Sequence, residues 1–188
     1  MRRLLLLVAT LFLIQPAQAQ ENNAALHQLF DQQWQRGLRD YPENAVFYGD
    51  NRYNDRWTDM SLGAIAVREA GDREALQSLR AIDRTQLSAA DQLNYDTFEW
   101  QLKQSIARQA FREYLMPISH QGGVQTADGL LELLAFNTEK DYRDWLARLN
   151  ALPTLIDQNI VLLREGARLG MTPPKAIMKR VPNQIAAQ

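Results

Sequence analysis

From about residue 20 onward, apolar residues recur at helical steps almost everywhere, and no stretch of four or more alternates in the manner of a half-buried strand. The chain therefore reads as all-α. Leu26, Phe30, Trp34 and Leu38 fall every four residues with Leu29 beside them. That spacing predicts one apolar stripe on a first helix that stops before Pro42. A short helix follows over Glu43 to Tyr48. "YGDNRYNDRWTDMS" then sets Gly, Asn and Asp among aromatic and charged residues, which is turn chemistry and predicts the longest loop. Ser61 to Ile82 is again helical in period. Gly71 is a candidate break in it, since glycine costs about 1 kcal/mol relative to alanine inside a helix.

The next helix opens with "SAAD", where Ser88 can cap the backbone and Asp91 sits in the first turn, and it is expected to run to about Arg112. Tyr95, Phe98, Leu102 and Ile106 lie on one side; Leu93, Trp100, Ala107 and Phe111 lie on the other. Two apolar faces need two packing partners, so this helix is either central or matched to mass that the chain lacks. Further helices are expected near Ala127 to Leu134, from "TEKD" onward, and from about Pro153 to Leu169. Thr138 and Asp141 form a capping pattern for the second of these, which carries Tyr142, Trp145, Leu146 and Leu149 on one face. Pro153 suits a first turn, and Gly166 and Gly170 suit a helix exit. In "MTPPKAIMKRVPNQIAAQ", Pro173 and Pro174 can start a helix that Pro182 would kink or end, leaving an unfinished element.

The first twenty residues, "MRRLLLLVATLFLIQPAQAQ", place Arg2 and Arg3 before an apolar run from Leu4 to Ile14, then Pro16 and the small residues Ala17 and Ala19. That order is expected of a secretory signal peptide cleaved after Ala19. The apolar run is about half the roughly 20 residues needed to span a bilayer, so no stable membrane anchor is expected after cleavage. Residues 1–19 are thus assigned to a signal peptide and 20–188 to the mature portion, periplasmic or secreted. There is no cysteine to acylate or to form a disulfide, so core packing alone must hold the fold.

Charge adds an exclusion. The 21 basic and 22 acidic residues are interspersed, giving a formal net charge of −1, and no basic cluster could neutralise a run of phosphates. Nucleic acid is not an expected partner. Composition is that of an ordinary globular domain, 46% hydrophobic and 23% charged, and points to no activity.

Candidate chemistry centres on "REYLMPISHQGGV", which holds one of two histidines. Zinc needs three or four ligands around one point, and neither His27 nor His120 has a second histidine within a helical turn. Ser119 beside His120 is no dyad, because neighbouring side chains in an extended segment point to opposite faces. A Gly-x-Ser-x-Gly turn and a phosphate loop are also absent. His120 therefore reads as a polar residue at a backbone reversal made possible by Gly122 and Gly123, with Gly123 expected at a positive φ. Asp50, Asp55 and Asp59 lack the alternate spacing and closing glutamate of a calcium loop. Phe47, Tyr48, Tyr53 and Trp57 interleave with Arg52 and Arg56, a pattern that could cradle a peptide or sugar but more commonly folds a loop back onto the core.

The segments "NAVFYGDNRYNDRWTDMS", "LSAADQLNYDTFEWQL", "REYLMPISHQGGV" and "KDYRDWLARLNALPTLIDQNIVLLREGARLGMTPPKAIMKRVPNQI" together resemble, in order, the amino-terminal third of the bacterial domain of unknown function 885 family. The resemblance implies an exported helical protein, similar to zinc metallopeptidases, whose metal motif lies in a later half. No catalytic or metal residue carries over to any position here, and zinc is implied only for full-length relatives. It further implies that this chain is a fragment or truncated product supplying the wall or lid of a channel for peptide-like substrates, with His120, Gly122 and Gly123 as candidate channel residues. A stand-alone periplasmic helical binding or scaffold protein is the alternative. The leader reading has a direct check: exported from a bacterial host, the mature chain should begin at Gln20 by intact mass. A mass that retains residues 1–19 would refute cleavage after Ala19.

Overall fold

A computed structural model describes the backbone of residues 2–186 and the side chains of residues 20–186. The leader reading and Ala19 fall on residues 1–19, whose side chains lie outside the described residues. Helices α1 (Arg2–Asp40), α2 (Pro42–Phe47), α3 (Leu62–Arg80), α4 (Ala89–Gln109), α5 (Glu139–Arg168), α6 (Lys175–Met178) and α7 (Val181–Ala186) are joined by loops and 3₁₀ turns. No strand occurs among the described residues, as the helical spacing predicts. Nor is any of their helices long and apolar enough to cross a membrane. Two compact units can be distinguished: residues 1–35 with 69–108, and residues 36–68 with 109–188.

The first unit is built around Leu26, Leu29, Ala75, Leu79, Ile82, Leu87, Tyr95 and Leu102, with Phe30 and Phe98 meeting edge-to-face at 5.2 Å. These residues come mainly from one stripe on each of α1, α3 and α4, and burying them is the main stabilising contribution. Trp34 lies off that stripe and is exposed. Ser88 caps α4, its hydroxyl accepting from the Asp91 amide at 3.1 Å as the "SAAD" pattern predicts. Asp91 in turn meets His27 Nε2 at 3.1 Å, which pins the start of α4 to α1. Helix α3 runs through Gly71 without a break. Of the two apolar faces of α4, the one with Tyr95 and Leu102 is buried. Leu93 and Trp100 on the other face stand open to solvent at 68% and 62%.

In the second unit, α4 has already ended: Arg112, expected inside it, adopts a left-handed φ of 48° and turns the chain into a short 3₁₀ element, Glu113–Leu115. The segment expected as a helix near Ala127 to Leu134 is 3₁₀, Val124–Leu133, kinked at Thr126. The two helices expected on either side of Pro153 are one. Helix α5 is 30 residues long with Pro153 inside it, opened by a complete capping box between Thr138 and Asp141. The loop that should have separated them is absent because residues 148–152 contain neither glycine nor proline to turn the chain.

Helix α5 also buries an unexpected face. Tyr142, Leu146 and Leu149 are exposed, whereas Arg148, Leu155, Asn159, Leu162 and Gly166 point inward. Gly166 is not an exit residue but a contact point: a Cβ there would sit 2.6 Å from the Leu115 carbonyl oxygen and 2.7 Å from that of Met171. Gly170, with φ +73°, ends the helix. Pro182 sits in the first turn of α7, after the chain breaks between α6 and α7.

Arg148 is fully buried. Its Nε donates to the Arg56 carbonyl at 2.9 Å and its Nη2 to the Tyr53 carbonyl at 3.0 Å. The guanidinium lies 5.0 Å from the Trp57 ring centroid, and Trp57 Nε1 donates to the Arg148 carbonyl at 2.7 Å. Four interactions thus fasten the 49–60 loop to one helical residue. Replacing Arg148 with alanine should destabilise the fold by about 3 kcal/mol or more, because two loop carbonyls lose their donors and a large void opens. A urea unfolding series giving a loss below about 1 kcal/mol would contradict that role.

Candidate functional site

An apolar cleft in the second unit has a volume of about 490 Å³. One side is formed by α2 and its approach, with Tyr41, Glu43 and Phe47; the loop fastened by Arg148 adds Trp57, Thr58 and Met60. The 3₁₀ segment contributes Val124, Ala127, Leu130 and Leu133, and α5 closes the floor with Leu155 and Asn159. Helix α2 stands where it does because Pro42 fixes its first turn and Pro42, Ala45 and Val46 are buried. Phe47 is thereby left 67% exposed at the rim.

Polar groups in the cleft are few and positioned. The Glu43 carboxylate accepts from the Thr58 amide at 3.0 Å and from the Thr58 hydroxyl at 2.5 Å, so the loop residue fixes the acid. Asn159, only 4% exposed, donates its amide to the Leu155 carbonyl at 2.7 Å. Thr126 donates its hydroxyl to the Gly123 carbonyl at 3.0 Å. An apolar chamber with a small number of oriented polar groups is the usual form of a small-ligand site. Burial pushes the Arg148 guanidinium below its ordinary range, while the charges of Glu43, Asp55 and Asp144 oppose that shift.

Of the three candidate channel residues, only Gly123 lines this cleft. Gly123 has φ 143° and ψ −171°, a region open to glycine alone, so its expected positive φ is found. A Cβ would also lie 2.5 Å from Gln125 Oε1 and 3.1 Å from the Pro117 carbonyl oxygen. Gly122 needs no such freedom: its φ is not positive, and a Cβ there would meet nothing within 4 Å. His120 is half-buried at the reversal, where the Ser119 amide donates to the Gly122 carbonyl at 2.9 Å. Its carbonyl accepts from Gln184 at 2.9 Å, and its Nδ1 is buried without a hydrogen-bond partner among the described residues.

The aspartates of the long loop are engaged individually. Asp50 is held below the usual carboxylate range by Arg52, and Asp55 by Arg56. The Ser61 amide, with the Ser61 and Gln158 side chains, does the same for Asp59. Arg52 and Arg56 both stack on Tyr53, and Trp57 folds inward, but Tyr48 stays exposed. No group of three or more His, Cys, Asp or Glu able to hold a metal occurs among the described residues. Zinc, which the resemblance implies for full-length relatives, has no matching donor set there. Sequence reading missed Glu43, Thr58 and Asn159; the one signal open to it was the placement of a polar Asn159 among the apolar positions of α5.

An all-α array with an apolar cleft, and no metal-binding cluster among the described residues, defines the class structurally rather than by a reaction. A family model described as "Bacterial protein of unknown function (DUF885)" matches residues 42–188, and the chain belongs to that family. No curated protein and no solved structure is significantly similar to it.

His120→Ala and Gly123→Val separate turn from site. Valine at 123 should cost about 2 kcal/mol or more, from the forbidden φ and the Cβ overlap. Alanine at 120 should cost about 1 kcal/mol or less and, in a full-length relative, lower activity less than about tenfold. A loss of about a hundredfold in activity for His120→Ala at unchanged melting temperature would overturn the turn assignment.

Proposed function

We propose that this chain forms a non-catalytic, substrate-enclosing wall of an exported, metallopeptidase-like protein that acts on peptides. The observation that carries the reading is the cleft. Its aromatic and aliphatic walls suit peptide side chains, it is built almost wholly from the family-matched residues, and its few polar side chains are held in place by neighbours. In this reading the zinc and its ligands belong to a portion of the protein other than residues 20–186, and the work of the present residues is binding and exclusion of water. Export to the periplasm or beyond, through the leader, belongs to the same proposal, as does the absence of a nucleic-acid partner.

The open apolar stripes supply further support. Leu93 and Trp100 on α4, and Tyr142, Leu146 and Leu149 on α5, are large, exposed and spaced along single helix faces. Contiguous apolar surface of this kind marks contact sites. A wall that normally meets the remainder of a larger protein would present such surface.

The purified chain should bind an apolar decapeptide in equilibrium dialysis and should not hydrolyse it, with or without added zinc. Zinc-dependent hydrolysis that a chelator removes would overturn the non-catalytic assignment. Failure to bind any apolar peptide would overturn enclosure.

A further inference from the structure

Apart from the Tyr41 hydroxyl at the edge, the side-chain donors of the cleft are largely spent on the protein itself. The Thr58 hydroxyl and amide both donate to Glu43, the Thr126 hydroxyl donates to a backbone carbonyl, and Trp57 Nε1 donates to the Arg148 carbonyl. The acceptors are less occupied. Glu43 uses two of roughly four lone-pair sites on its carboxylate. Asn159 is buried and lines the cleft; one N–H of its amide donates to Leu155, and its carbonyl oxygen has no side-chain or backbone donor on it among the described residues. Arg148 directs its bonded donors to the carbonyls of Tyr53 and Arg56, so Glu43 feels its charge but makes no direct ion pair with it among the described residues.

We infer that the cleft captures the free amino terminus of a peptide whose first side chain is apolar. An ammonium brings three donors and a positive charge, which match the Glu43 carboxylate and the Asn159 oxygen; an apolar side chain matches Leu130, Leu133 and Leu155. Anionic groups are disfavoured, because Glu43 would repel them and no cationic side chain lines the cleft. The ammonium lies in a partly water-excluded chamber, where a charge-assisted hydrogen bond is stronger than at an open surface. The proposal rests on the enclosure reading for the source of the amine, a peptide. Its chemistry rests on the cleft alone.

Three probes test it by calorimetric titration into the purified chain: leucyl-leucine amide, its N-acetylated form, and N-acetyl-lysine amide. The free dipeptide amide should bind at least about tenfold more tightly than the acetylated one, the factor expected from one charge-assisted hydrogen bond. The lysine derivative, whose ammonium sits on a flexible stem with no apolar side chain beside it, should also be at least about tenfold weaker. Glu43→Gln should remove the preference for the free amine, so that the free and acetylated forms bind alike. Equal binding of the free and acetylated forms by the unaltered chain would overturn the inference without any variant, as would no binding of either at millimolar concentration. Equal binding of the lysine derivative would overturn it too, reassigning the cleft to lysine side chains. Apolar decapeptide binding that ignores the amino terminus would sink this inference and keep the enclosure reading; zinc-dependent hydrolysis would sink that reading and leave amine capture standing.

Discussion

Arg148 brings a positive charge into a place closed to water, with no carboxylate within ion-pair distance among the described residues, and the second unit is arranged around how that charge is satisfied. Burying an ion without a partner is expensive, so it survives only where dipoles replace water. Here they are the Tyr53 and Arg56 carbonyls and the face of Trp57, all from one loop. The dependence runs both ways, since the loop has only short 3₁₀ structure of its own. Fixed at these points, it places Trp57, Thr58 and Met60 along the cleft.

The cleft follows from that anchoring and from one backbone detail, the reversal at Gly123. Thr58 reaches Glu43 on α2 only because the loop returns to the domain at Trp57, and the bond orients the carboxylate. Gly123 lets the chain reverse tightly enough for the 3₁₀ segment to lay Leu130 and Leu133 opposite α5. Gly166 permits the Leu115 and Met171 carbonyls to come within contact of α5, closing the same unit from another side. Loop and turn therefore each contribute one constraint to the chamber, and the Gly166 contact packs the unit elsewhere.

Membership of a family without an assigned activity leaves chemistry to be argued from the site. The chamber has apolar walls and a few oriented polar side chains, Glu43, Thr58, Thr126 and Asn159 among them. The histidines are placed accordingly. His27 holds the cap of α4 through Asp91, and His120 stands at a reversal beside the cleft rather than in it.

Local and periodic features were legible in the sequence. The all-α class, the end of α1 before Pro42, the Ser88 cap, the Thr138–Asp141 box and the positive φ of Gly123 each depend on residues within a few positions of one another, where backbone sterics and hydrogen bonding decide. The inward face of α5 was not legible. Apolar periodicity selected Tyr142, Trp145, Leu146 and Leu149, of which only Trp145 is half-buried, against Trp57, whereas the buried positions include Arg148 and Asn159, and the carbonyls that bind Arg148 belong to a loop far away in the chain. Pro153 likewise looked like a helix start, yet the helix runs through it because tertiary packing outweighs one missing hydrogen bond. Sequence thus determined the helical class and the local caps and turns. Only the tertiary structure decided which face each one buries and which polar groups meet in the cleft, because a buried charge is stabilised by partners that no local pattern records.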